Sequence, residues 1–137
     1  MAVYNKVAGA IDNLLEGNNA GTDQWAFALA LSAPASPTFV AGTTDLATGN
    51  GYTQGGNNVS TTSSAETAGT YTLKLAAPTA WTASGAGFSF LHVLLVDKTT
   101  NIVPGYWSAA STVVMNGGNA DTFTFTPDGT NGVFQIT

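Results

Sequence analysis

The chain has no cysteine, no arginine, one histidine and three lysines in 137 residues. Without cysteine there are no disulfides and no thiolate metal sites, although this says nothing of compartment. Three lysines (Lys6, Lys74 and Lys98) against eight acids give a net charge of −5. Neutralising phosphates needs Lys or Arg, so nucleic-acid binding is close to excluded and an anionic membrane surface is disfavoured. A single histidine falls short of the three or four His or Cys ligands of a usual zinc site. No metal and no cofactor is expected, although carboxylates and carbonyls would suffice for calcium. No apolar run approaches the ~18 residues of a membrane span. The start MAVYNKVAGAIDNLL lacks a continuous apolar core and carries only Lys6 as a basic residue, so it is not expected to act as a signal peptide. The expectation is a soluble chain made without export.

Charge of either sign is also scarce. Only 8% of residues are charged, against about 25% in ordinary soluble domains. The surface must therefore be built from Thr, Ser, Asn, Gln and Gly. Stripping water from a charge is the costly step in burying a surface, so this coat favours packed interfaces between like or partner subunits. The plainer alternative is a polar, uncharged coat with no partner.

A chain of this length suits a single domain, 1–137, able to bury roughly two-thirds of its unfolded surface. Val3, Val7, Ala10, Ile11 and Leu14 recur at helical spacing, which predicts an N-terminal α-helix over residues 1–17 that ends at Gly17. That helix would cover one end of the core or dock on a neighbour. Gln24 to Leu31 predicts a buried strand, with Trp25, Phe27, Leu29 and Leu31 on one face and three alanines on the other. Small residues there imply that another layer lies close. Gly42 to Gly69 is rich in Gly, Asn, Ser and Thr, with few anchors beyond Tyr52 and Val59. It reads as a surface loop, an arm or short edge strands, with a strand near Asn58 to Ser63 and no core role.

From Thr70 onwards the pattern is strand and turn. TYTLKLA alternates, and Trp81 sits in a short Thr/Ala segment. FSFLHVLLVD, from Phe88 to Asp97, is apolar on both faces and predicts a central strand, with Phe88, Phe90, His92, Leu94 and Val96 together. Pro104 places a bulge or edge in the next strand. Thr112 to Met115, Thr122 to Thr126 and Val133 to Ile136 follow, with Pro127 to Gly132 as a hairpin signal. The predicted fold class is mainly β: an antiparallel, jelly-roll-like β-sandwich with one N-terminal α-helix.

Few residues offer chemistry. Any Ser-His-Asp arrangement would have to use His92, which sits mid-strand between apolar neighbours. The acids fall at element ends and turns, where they cap backbone, and no facing pair suggests a glycosidase. The glycines fit neither dinucleotide nor P-loop patterns. No catalytic residue is expected, and no enzyme. Trp81, Trp107 and Tyr106 could stack on sugar rings, Trp81 being the one most open to solvent; the competing reading buries them in the core or at a subunit interface.

MAVYNKV at the start, GNGYTQGG and VSTTSSAETAGTYTLKLA in the middle, and TFTFTPDGTNGVFQIT at the end form an ordered set across most of the chain. Together they resemble small virion proteins of tailed phages, of the capsid decoration (cement) type. The chain departs from that pattern around Trp81 and from Val103 to Ala110. The resemblance implies a non-enzymatic component that covers the outer face of the shell, binds the major capsid protein and stabilises the shell, commonly as a homotrimer. It would be made in the host cytoplasm and reside in the virion. A tail or head-fibre component is the first alternative, and a carbohydrate-binding β-sandwich module with a surface glycan as partner the second. The interface candidates are Val3, Tyr4, Val7, Ile11, Tyr52, Trp81, Tyr106 and Trp107.

Overall fold

The computed structural model describes residues 3–10 and 19–137. These residues are mainly β, in antiparallel sheets. The strands are β1 (Tyr4–Lys6), β2 (Trp25–Ala30), β3 (Asn57–Val59), β4 (Thr61–Thr67), β5 (Thr70–Leu75), β6 (Trp81–Thr82), β7 (Phe88–Asp97), β8 (Ile102–Met115), β9 (Thr122–Phe123) and β10 (Phe134–Ile136). They form a five-stranded sheet in the order β1-β8-β7-β2-β3, a three-stranded sheet β10-β5-β4 and a two-stranded sheet β6-β9.

The five-stranded sheet is covered on both faces, as the side chains of β2 dictate. Trp25, Phe27 and Leu29 enter one core with Val93, Leu95 and Trp107 of the same sheet, and with Leu73, Leu75 and Trp81 of the smaller sheets. Ala26, Ala28 and Ala30 enter a second core with Leu94, Val96 and Val103. Their small size leaves room for Phe39, Val7 and Ala10 to lie close against the sheet. Leu31, expected to continue the large-residue face, lies beyond the strand end and is 52% exposed.

β8 carries two register shifts against β7. In the first, β7 advances two residues, Leu95 to Asp97, while β8 covers three, Gly105 to Ile102. Pro104 lies inside this bulge, where its missing N–H costs no ladder bond. In the second, β7 advances two residues, Phe90 to His92, while β8 advances five, Val113 to Ser108. Bulges increase local twist, and β7 turns over at this one. Phe90 thus faces the first core, whereas Leu94 and Val96 face the second. The single shared face expected for Phe88 to Val96 is split for that reason.

The N-terminal helix needs correcting. Residues 4–6 are β1, paired antiparallel with β8 as Tyr4↔Trp107, Asn5↔Tyr106 and Lys6↔Gly105. Val3 and Val7 satisfy helical spacing, but β8 offers an open edge and Val7 gains the second core. The Val7 N–H donates to the Pro104 carbonyl at 3.0 Å. Gly105 makes the fit possible, since a Cβ there would lie 2.2 Å from the Tyr4 ring. Residues 11–17 of the expected helix lie outside the described residues. Among the described residues, helical conformation is confined to Ala10 and a short 3-10 turn, Gly117–Asn119, capped by the Asn116 side chain. The Pro127 to Gly132 hairpin is a second correction. β9 pairs with β6 and β10 with β5, so this turn carries the chain between sheets.

Gly42 to Gly69 divides in two. Its first half is a plug at the open edge of β2, beyond the end of β3. The Leu29 N–H donates to the Tyr52 hydroxyl at 3.1 Å, and the Leu29 carbonyl accepts from the Leu46 N–H at 2.9 Å. Tyr52 and Asp45 are both buried. Asp45 accepts from the Tyr52 hydroxyl at 2.6 Å, from Gly55 N–H at 2.6 Å and from Gly42 N–H at 2.7 Å. The absence of a core role expected for this stretch is therefore wrong for residues 42–56. Its second half is β3 and β4, close to the strand expected near Asn58 to Ser63, and the turn into β5 at Ala68 and Gly69.

Candidate functional site

The eight interface candidates do not share one surface. Val3 is 76% exposed and, among the described candidates, is the only one lying openly in solvent. Tyr4 is half-buried, its ring 5.0 Å from that of Trp107, and burial pushes its phenol pKa well up. Val7 and Tyr52 are core residues. Burial, then the Asp45 hydrogen bond, raises the Tyr52 phenol far above its ordinary value. Ile11 lies outside the described residues. Tyr106 is half-buried on the second-core side.

Trp81 is 2% exposed and stacked on Phe123, centroids 5.7 Å apart; its indole N–H is buried without a partner. Trp107 is 7% exposed among Tyr4, Phe27 and Phe125. Neither indole presents a face on which a sugar could stack. Trp25, read as core, is fully buried.

His92 is 8% exposed. Its Nδ1 lies 2.9 Å from Ser108 Oγ, and its ring stands edge-on to Tyr106 at 5.3 Å. Burial lowers its pKa, which keeps the ring neutral. A serine nucleophile also needs a carboxylate to orient its histidine and donors for the oxyanion. Among the described residues no carboxylate touches this ring, so the pair reads as a satisfied polar contact.

The described carboxylates are spent on structure. Asp128 takes the N–H groups of Thr130 and Asn131 at 2.7 and 2.9 Å, and these bonds, Asn131's first, hold its pKa low. Asp97 is fully buried and accepts from Thr99 and Thr100 N–H at 2.8 and 3.2 Å. Burial first, then a side-chain hydrogen bond to Asp23, pushes its pKa up. Among the described residues, no group of three or more His, Asp or Glu side chains could hold a metal, and no helix is long and apolar enough to cross a membrane.

What remains is surface. β4 is the outer strand of its sheet, with residues 62–67 all exposed and Glu66 its one charge. An edge strand presents a row of unpaired N–H and C=O groups, a template for pairing with another chain. Lys and Pro are the usual protections, and β4 has neither. Two features escaped sequence reading, the Asp45–Tyr52 plug and the Asp23–Asp97 pair, whereas exposed β4 lies within the stretch expected at the surface. Asp45 and Tyr52 lie seven residues apart in a glycine-rich stretch, and a lone aromatic there was the available signal.

No protein-family model, no curated protein and no solved structure matches this chain.

Proposed function

We propose that this chain is a structural protein of a tailed-phage particle that decorates and stabilises the outer face of the capsid. It acts by binding the major capsid protein, as a homotrimer, and does no catalysis. In this reading it forms one domain, a jelly-roll-like sandwich, made in the host cytoplasm and carried in the virion, with no nucleic-acid or membrane partner and no cofactor. The observation that carries the reading is β4: a seven-residue edge strand, exposed over residues 62–67, with one charge and no lysine or proline. Backbone pairing and uncharged contact area suit a protein held by many weak contacts repeated by symmetry. The ordered sequence resemblance supports the same reading, and a shell's outer face needs no basic residues.

Quantitative mass spectrometry of purified particles tests it. Copies comparable in number to the capsid subunit, or one trimer per three subunits, are expected. A few copies per particle would assign the chain to the tail or a head fibre, and absence from particles would overturn the structural reading. The carbohydrate module built on Trp81 and Trp107 loses support from their burial.

A further inference from the structure

The inner face of the three-stranded sheet extends past the core it covers. Register puts Ser64, Leu73 and Phe134 in one row, and Glu66, Tyr71 and Ile136 in the next row outward. Leu73 is fully buried, Tyr71 and Phe134 are half-buried, and Ile136 is 42% exposed. Facing this overhang is the loop 19–21, which is held in place by several bonds. Trp25 Nε1 donates to the Ala20 carbonyl at 2.8 Å. The Asn19 carbonyl accepts from Thr22 and Asp23 N–H at 2.8 and 2.9 Å, and Asn19 N–H donates to Asp23 Oδ2 at 2.8 Å. All of these bonds to Asn19 use its backbone and leave its carboxamide out.

Between loop and sheet lies an open cleft of about 310 Å³, near the lower limit of about 300 Å³ for small-molecule sites. Among the described residues, none that lines it is charged. One part of its lining is ring and aliphatic surface, from Tyr71, Phe134 and Ile136. The other is hydroxyl and carboxamide, from Ser64, Tyr71 and Asn19, with Ser64 Oγ and the Tyr71 hydroxyl 2.8 Å apart.

This polarity selects a class of ligand. A phosphate or carboxylate would find no cation. A purely apolar side chain would strip water from the amide and hydroxyls without replacing it. A sugar ring has an apolar C–H face and an edge of hydroxyls that both donate and accept, as a carboxamide and hydroxyls require. We propose that this cleft binds a neutral saccharide ring, Tyr71 and Phe134 against its C–H face and Asn19 and Ser64 at its hydroxyls. The site is distinct from the buried tryptophans and does not depend on the virion reading.

The test is an amide-resolved NMR titration of the whole chain with neutral methyl glycosides of glucose, galactose, mannose, rhamnose, N-acetylglucosamine and N-acetylgalactosamine. At least one should saturate with shifts confined to Gly21, Ser64, Tyr71, Phe134 and their neighbours. Asn19→Ala and Tyr71→Ala should each weaken it at least about tenfold, or 1.4 kcal/mol. Should Tyr71→Ala disturb the fold, Tyr71→Phe removes only the hydroxyl and Asn19→Ala stands by itself. No shift with any glycoside, or shifts placed elsewhere, would overturn the proposal. Shifts at these residues that follow protein concentration without sugar would overturn it in favour of a second copy of the chain.

Discussion

Residues 42–56 and 61–69 are both small and polar, with one acid each, and have opposite fates. The first is mostly glycine and threonine, and the second mostly threonine, serine and alanine. The first stretch is anchored in the core, whereas the second is an exposed strand and turn. Two side chains make the difference. Tyr52 carries an aromatic ring into the first core and a hydroxyl to Leu29, and Asp45 gathers Tyr52 and two loop amides. Residues 61–69 have no such anchor. Low mean hydropathy alone therefore does not separate a plug from an arm; one well-placed aromatic and one satisfied buried acid do.

The sharpest way to break the plug is Gly56→Ala. Gly56 has φ +69°, and a Cβ there would lie 2.1 Å from the Phe27 carbonyl oxygen. Backbone strain and the clash together should cost more than about 3 kcal/mol, read as a lower urea midpoint. Next comes Tyr52→Phe, which strands the Leu29 N–H and removes a donor from Asp45. A loss of about 1–3 kcal/mol is expected, with the same denaturant slope.

Asp23→Asn tests a buried cost elsewhere. Asp97 has its folded pKa raised by burial and by Asp23. The folded state thus favours protonated Asp97. Its contribution is full in acid, below the ordinary carboxylate value, and is lost as pH rises through the raised value. Asp23→Asn removes the like charge, so stability at neutral pH should rise and its decline from acid to neutral should flatten. An unchanged slope would show that Asp23 does not raise the Asp97 pKa.

In the arm, Ala68 holds φ +51° ahead of Gly69 at +83°, left-handed conformations that suit Asn-Gly or Gly-Gly turns. Ala68→Gly should stabilise by about 1 kcal/mol, seen as a small rise in Tm. The smallest effect on stability belongs to the pair Ser63→Lys and Ala65→Lys on exposed β4, within about 0.5 kcal/mol. That pair should have the largest effect on attachment to particles, because lysine blunts an edge strand.

The sequence made β7 legible to its end residues, since ten apolar-rich residues stand between a glycine turn and a charged one. The alanine face of β2 correctly implied a second layer, and Pro104 marked its bulge. Side-chain pattern failed where a partner strand decided the outcome. Tyr4 to Lys6 sits within an apolar spacing that fits a helix, yet β8's open edge and the clearance at Gly105 make it a strand. Phe90 and His92 alternate on paper and part company at a bulge supplied by β8. Trp81 sits among small polar residues and is buried by Phe123, which is forty-two residues away. Of the candidate surface, the sequence revealed the low charge and a place within residues 42–69, but did not separate exposed β4 from the buried plug, because both stretches are small and polar.

Hydrogen exchange on the free chain and on the chain bound to its particle tests the central claim most directly. The account predicts slow exchange for the Leu29, Gly42 and Gly55 amides in both states. It predicts fast exchange for the outward amides of Thr61–Thr67 in the free chain and strong protection on the particle. Equal exchange of those β4 amides in the two states would contradict it.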